Sequence, residues 1–310
     1  MSPDDERLAV SLCGIALRNP VLAASGTFGY GVEFERLADL NALGGLVVKG
    51  LSREPMDGNP PPRIWEAQAG MLNSIGLQNI GVRAFVREKL PRLARLRTAV
   101  FANVFGYATE DYVEVVRVLE SAEGLAGYEV NVSCPNTQHG GIYFSSDPAL
   151  LAEVVGAVKR VARRPLIVKL SPNVAAIEPL ARAAEQSGAD AISLVNTFLA
   201  LAIDARTRRT RLGAGFGGLS GPAIKPIALR LVYQAAQAVK IPVIGLGGIS
   251  TGEDAAEFLV AGASAVQVGT ATFWDPGSPV RVAREMGHFL REEGVGNVGE
   301  IVGTLKWPVP

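Results

Sequence analysis

Cys134 stands between two asparagines in the run Asn131-Val132-Ser133-Cys134-Pro135-Asn136, and a thiol so placed can take a proton. Its reference pKa of about 8.5 is close enough to neutrality that a site stabilising the thiolate would let it accept a proton from carbon. A lone free cysteine is more often a small buried hydrophobe, so the assignment depends on what surrounds it. Tyr128-Glu129-Val130-Asn131-Val132 reads as a buried strand, which Pro135 ends because proline has no N–H to donate. Thr137 to Ser146 is then a Gly-rich polar loop, with Gly140-Gly141 as joints for a flap that closes over a ligand and excludes water.

Other residues of the same kind recur at intervals. Ser25, Lys49, Asn103, Asn131, Lys169 and Asn196 each end an apolar stretch where packing alone would favour Val or Ile. Two later stretches end in Gly247-Gly248 and Gly269-Thr270. Gly-rich turns there, with a short helix able to begin near Phe273, form an anion site of the kind that holds phosphate. The amides of Asn73, Asn131, Asn136 and Asn196 both donate and accept, so they can surround a planar, polar, anionic ring without adding charge. Lys49 and Lys169 can hold phosphate, or stabilise negative charge developing on an electron-rich ring, which favours hydride acceptance by a flavin. His139 and His288 are far apart with no carboxylate at ligand spacing, so no metal site is expected. His288 reads as a surface helix residue, His139 as part of the flap, and Cys13 as structural.

The elements that must position these residues follow from the apolar pattern. Strands begin at Val21, Leu46, Ala99, Tyr128, Leu166, Ala191, Val243 and Ala265. Helical spacing covers Glu33 to Leu40, Val82 to Leu96, Glu110 to Ser121, Pro148 to Ala162, Ile177 to Ser187, Pro222 to Val239, Gly252 to Ala261 and Pro279 to Glu292. Apolar strands without alternation, each followed by an amphipathic helix, imply a parallel sheet buried on both faces. Eight such units imply an α/β fold, the (β/α)8 TIM barrel, whose chemistry collects at the C-terminal ends of the strands. The doubly wound alternative is disfavoured, since Ala24-Ser25-Gly26-Thr27-Phe28-Gly29 lacks the G-x-G-x-x-G order. An N-terminal β-hairpin, Leu8 to Asn19, turns at Cys13-Gly14. Residues 51–79 and 197–221 are long strand-and-loop excursions inserted at the C-terminal face, where that length is usually functional. No linker divides the chain, which reads as one domain over residues 1–310.

Bulk properties narrow the function. Thirty basic and thirty acidic residues give a formal net charge of zero, so neither nucleic acid nor an anionic membrane is an encoded partner. Two cysteines in 310 residues are too few for a zinc or iron–sulfur site in this chain. No apolar run reaches the length of a membrane span and no signal peptide opens the sequence, so a cytoplasmic location is expected.

The motifs together resemble one family across essentially the whole chain, the class 1 dihydroorotate dehydrogenases. The marks are Asn131-Val-Ser-Cys-Pro-Asn136, Asn73-Ser-Ile-Gly-Leu-Gln-Asn79 and Gly218-Leu-Ser-Gly-Pro-Ala-Ile-Lys-Pro226. Ile244-Gly-Leu-Gly-Gly-Ile249 and Ala265-Val-Gln-Val-Gly-Thr270 support them. The resemblance implies oxidation of (S)-dihydroorotate to orotate in pyrimidine synthesis, with Cys134 removing the C5 proton while C6 passes hydride to FMN. It implies FMN contacts at Ser25, Lys49, Gly50, Asn103, Asn131, Lys169, Val195, Gly221, Gly247, Gly248, Gly269 and Thr270. For the substrate it implies Lys49, Asn73, Ser74, Ile75, Gly76, Leu77, Asn131, Asn136, Asn196 and Thr197, with Ile75 where some relatives have Met. Class 2 members use a serine base and carry an N-terminal membrane helix; this chain has cysteine and no such helix.

Within class 1 the acceptor differs. Class 1A members are homodimers that reduce fumarate. Class 1B members pair with a subunit carrying FAD and a 2Fe–2S cluster and pass electrons to NAD+. The stretches Asn196 to Asp204, Gly218 to Pro226 and Glu253 to Gly262 are more similar to class 1B, which implies a homodimer within a heterotetramer. A fumarate-using enzyme, a related pyrimidine reductase, or a barrel that binds a pyrimidine or flavin without turnover stay open as alternatives.

Overall fold

The computed structural model describes residues 5–133 and 146–308. At its centre eight parallel strands close into a barrel. They are β1 (Val21–Ala23), β2 (Gly45–Val47), β3 (Ala99–Val104), β4 (Gly127–Asn131), β5 (Leu166–Lys169), β6 (Ala191–Leu194), β7 (Val243–Leu246) and β8 (Ala265–Val268). Neighbours follow chain order and β8 pairs with β1 to close the ring. This is the (β/α)8 barrel expected from the sequence, and each strand begins within a residue of its expected start.

Around the barrel lie α1 (Val82–Glu88), α2 (Leu90–Leu93), α3 (Thr109–Glu120), α4 (Pro148–Lys159), α5 (Glu178–Gln186), α6 (Lys225–Ala238), α7 (Gly252–Val260) and α8 (Ser278–Glu292). Their starts carry local signals. Asp147 accepts hydrogen bonds from the Ala149 and Leu150 N–H groups, and Thr251 with Asp254 forms a reciprocal capping box. No helix among the described residues is long and apolar enough to cross a membrane.

Three helical expectations are corrected. Glu33 to Leu40 is not an α-helix: 3-10 turns at Val32–Phe34 and Leu40–Ala42 replace it. Its polar side chains bond locally instead, Glu33 accepting from the Tyr30 N–H and Asp39 from the Asn41 N–H. The expected helix from Val82 to Leu96 divides at Lys89, because Pro91 cannot donate to the turn before it. The short helix expected near Phe273 is a 3-10 turn, Thr270–Phe273, which starts directly at the end of β8 and only finishes at Phe273.

The core has two parts. One fills the space between strands and helices. The other lies inside the barrel, where Leu22, Val47, Phe101, Ile167, Ala191, Ile244 and Ala265 from seven strands meet Leu12 and Leu17. Those two leucines come from the N-terminal hairpin, Val10–Leu12 paired antiparallel with Ile15–Leu17. The hairpin turns at Cys13 and Gly14, both at positive φ, and its leucines continue the apolar interior of the barrel at its N-terminal end. Above this apolar layer the interior becomes polar.

The two excursions pair with each other. Phe198–Leu201, Phe216–Ser220, Gly70–Asn73 and Ile64–Ala67 form one antiparallel sheet in that order. Its register sets Gly218 opposite Asn73 and Leu219 opposite buried Leu72. Arg211 lies over the Trp65 ring, 4.4 Å from its centroid, which joins the remainder of the second excursion to the first.

Candidate active site

Three of the polar residues at the strand ends gather around one group that the motif reading passed over. Glu129, in the middle of β4, is wholly buried. Its Oε2 accepts from Asn103 Nδ2 at 2.7 Å and Ser25 Oγ at 3.4 Å, and Lys169 Nζ stands 3.6 Å away. Its Oε1 accepts from Gln267 Nε2 at 2.7 Å and Ser193 Oγ at 2.9 Å. Gln267 belongs to β8, across the barrel from β4, so this network fills the interior rather than the rim. Lys169 also donates to Ser25 Oγ at 3.3 Å. Thus Ser25, Asn103 and Lys169 are brought together by a carboxylate beneath them. Gly50 joins the group, since a Cβ there would lie 3.0 Å from Asn103 Oδ1.

A second cluster lies where β4 and β6 end. Asn131 Oδ1 accepts from the Ser133 N–H at 3.2 Å, from Ser133 Oγ and from Asn196 Nδ2 at 3.5 Å, and Asn196 also donates to Ser133 Oγ. The buried hydroxyl of Tyr112 on α3 donates to the Asn131 carbonyl at 3.1 Å and so holds the end of β4. Asn196 accepts from the Thr197 N–H. Thr197 and Asn73 flank Gly218: Asn73 Nδ2 donates to its carbonyl at 3.4 Å, and a Cβ on Gly218 would overlap the Thr197 hydroxyl. The paired excursions therefore carry Asn73 to the same edge as Asn196.

Glycines form the third part. Gly221, Gly247 and Gly248 all have positive φ. A Cβ on Gly248 would fall 2.8 Å from Lys225 Cβ and 2.9 Å from the Gly221 carbonyl, and one on Gly247 would fall 3.1 Å from Val195 Cγ2. Gly221 lies beside Thr270, whose hydroxyl donates to Ser220 Oγ at 2.8 Å. Gly269 precedes the 3-10 turn that Thr270 begins. The segments that follow β6, β7 and β8 thus pack closely at these glycines.

Ser74, Ile75, Gly76 and Leu77 belong to the returning leg of the first excursion. Asn59 holds them, donating from Nδ2 to Ser74 Oγ at 2.8 Å and from its N–H to the Ile75 carbonyl at 3.0 Å. Leu77 is at positive φ and its carbonyl accepts from Asn79. Arg63 ties the same leg together through Asn59, Asp57 and Gln78. Burial holds the Lys49 amine below the ordinary lysine value, and the positive charge of Arg63 adds to that. Cys134 and Asn136 lie outside the described residues, as does the flap from Thr137 to residue 145. Cys13 lies far from this face: its thiol donates to the Asp190 carbonyl, and burial pushes it up to about 11.

Sequence reading missed Glu129, Ser193 and Gln267. The signal was a charged or polar residue inside each of three largely apolar strands, Tyr-Glu-Val-Asn, Ala-Ile-Ser-Leu and Ala-Val-Gln-Val. It also missed Arg63.

A family model described as dihydroorotate dehydrogenase matches residues 7–290. A relative from Solibacter usitatus, named "Putative dihydroorotate dehydrogenase A (fumarate)", is 79% identical over 97% of this chain and 99% of its own length. Relatives from Geobacter sp. strain M21 and Pelobacter propionicus, each named dihydroorotate dehydrogenase B (NAD(+)), catalytic subunit, are both 52% identical. They cover 96% and 99% of this chain, and 98% and 100% of their own lengths. With a match that spans the barrel from hairpin to last helix, the chain belongs to the dihydroorotate dehydrogenase family.

Proposed function

We propose that the chain oxidises (S)-dihydroorotate to orotate in pyrimidine synthesis, with FMN as its resident hydride acceptor. The observation that carries this reading is the convergence of Ser25, Asn103 and Lys169 at the barrel mouth, in a chain of this family. The glycine turns suit a phosphate through their backbone N–H groups, and their positive φ and close packing leave no place for a Cβ at Gly221 or Gly248. Gly221, Gly247, Gly248, Gly269 and Thr270 would hold the phosphate end of FMN. Ser25, Lys49, Gly50, Asn103, Asn131, Lys169 and Val195 would line its ring. When bound, FMN supplies a two-electron acceptor for the hydride on substrate C6.

The chain's residues do the rest. Asn73, Asn131, Asn136 and Asn196 read the edges of the planar substrate, supported by Thr197 and the backbone of Ser74 to Leu77. Lys49 meets its negative charge. Cys134 takes the C5 proton as the C6 hydride departs, so the substrate loses one proton and one hydride.

For the onward acceptor, the 52% identical relatives are named as catalytic subunits of NAD(+) enzymes. Two cysteines in the whole sequence cannot ligate a 2Fe–2S cluster here. We therefore favour a cytoplasmic homodimer working with a separate FAD and 2Fe–2S subunit that reduces NAD+. The name of the 79% identical relative favours a second reading, direct reduction of fumarate. The deciding experiment is anaerobic addition of dihydroorotate to the purified chain while the flavin absorbance is followed. Bleaching supports the substrate and cofactor; a yellow protein that stays yellow overturns the substrate, and a colourless one that takes up no FMN overturns both. Reoxidation of the bleached chain by fumarate alone would establish the second reading over the first.

A further inference from the structure

Glu129 has no role in the reaction as proposed, yet it is the most connected side chain near the site. Both of its oxygens face N–H donors: Gln267 at Oε1, Asn103 and the Lys169 ammonium at Oε2. The Lys169 ammonium 3.6 Å from Oε2 makes Glu129 its ion-pair partner. A buried charge is costly and a well-packed neutral residue would serve stability as well or better. The charge therefore needs another reason.

Three of its partners, Ser25, Asn103 and Lys169, are among the residues assigned to the flavin ring. A lone ammonium beside that ring would stabilise the negative charge gained on reduction and raise the reduction potential. A carboxylate 3.6 Å from the ammonium cancels much of that field, the more so away from water. Resting on the FMN reading above, we propose that Glu129 is a positioning residue: it fixes Lys169 and Asn103 against the ring, and its negative charge holds the flavin potential low enough for electrons to leave again. A buried Glu129 thus balances the two halves of the turnover. With the charge removed, uptake of the two electrons from substrate is favoured and their delivery to the next acceptor slows.

The test is a potentiometric titration of the purified flavoprotein against reference dyes, comparing the native chain with Glu129→Gln and Glu129→Asp. In Glu129→Gln the preference for reduced over oxidised flavin should rise about tenfold, an increase of about 30 mV for a two-electron couple. Glu129→Asp keeps the charge and should return most of that shift. A merely structural role predicts weaker flavin retention or lower thermal stability in both variants with the potential unmoved; that result, or equal potentials in native and Gln chains, overturns the proposal. If Glu129→Gln does not hold FMN, Ser193→Ala carries the test in the opposite direction. Loss of one hydrogen bond at Oε1 leaves the carboxylate less screened, so the potential should fall, and no change overturns the proposal. A native chain that binds no flavin removes the FMN reading itself, and this inference falls with it. A native chain with FMN and a Gln variant of unaltered potential removes this inference alone.

Discussion

Gly248 packs so closely on Gly221 that a methyl group on it would lie 2.9 Å from the Gly221 carbonyl oxygen. Gly248 also has φ +83, which costs an L-residue about 1 kcal/mol or more. Gly248→Ala should therefore push the β7 turn out of place and weaken FMN binding by about tenfold or more, an effect of ~1.4 kcal/mol. Quenching of flavin fluorescence on titrating the apoprotein measures it; native affinity in the variant would show that the cradle does not hold the phosphate.

Lys49 gives a pH signature. Its folded-state pKa lies below the ordinary value of 10.5, chiefly through burial and further through Arg63. Between the two values the unfolded chain holds a proton that the folded chain has lost, so this residue makes stability rise with pH there. Below the lowered pKa the full cost of burying the ammonium is present. Lys49→Met should be the more stable chain at neutral pH, and its advantage should shrink as pH climbs toward 10.5. Melting temperatures of both chains across alkaline pH give the difference directly, and parallel curves would refute the burial cost. The same variant should lose flavin reduction by dihydroorotate.

Cys134→Ala should slow flavin reduction by about 10²-fold or more while leaving substrate affinity near native. Anaerobic stopped-flow over a range of dihydroorotate concentrations separates the two quantities. A rate unchanged at saturation would remove Cys134 as the base.

Arg164 sits at the opposite end of the barrel from this chemistry. It donates to the Tyr128 hydroxyl at 2.8 Å, the Ala122 carbonyl at 2.6 Å and Glu120 at 3.2 Å, and so links the starts of β4 and β5 to the end of α3. Burial pushes the Tyr128 hydroxyl well above its usual range, so it stays a neutral partner. Arg164→Met leaves these acceptors unmet and should cost about 2–3 kcal/mol in urea unfolding. Its flavin reduction rate should be native, in contrast to every change at the mouth.

The sequence was most legible where a single local rule decides the structure. Strands such as Leu166–Lys169 are apolar on both faces, and that is enough to announce a buried parallel strand. Lys169 and Asn103 were conspicuous because they end such runs. Glu129 was hidden by its position: inside a strand its partners come from β3, β5, β6, β8 and the turn after β1, and no local spacing reveals a contact across a barrel. The same limit applies to the excursions. Residues 51–79 read as a strand-and-loop excursion, yet nothing local shows that Gly70–Asn73 pairs with a strand about 145 residues later. Glu33 to Leu40 failed in the other direction, with helical spacing overruled by side chains that bond their own backbone.

The sheet shared by the two excursions makes Asn73 and Thr197 parts of one cassette, although the chain encodes them far apart. Transplanting residues 51–79 alone from a relative with another ring specificity would leave its strand against a foreign partner, and a slip of one residue would turn Asn73 away from Gly218. Exchange of substrate preference between such barrels should therefore succeed only when residues 64–73 and 198–220 travel together, and in natural lineages those two stretches should change in concert.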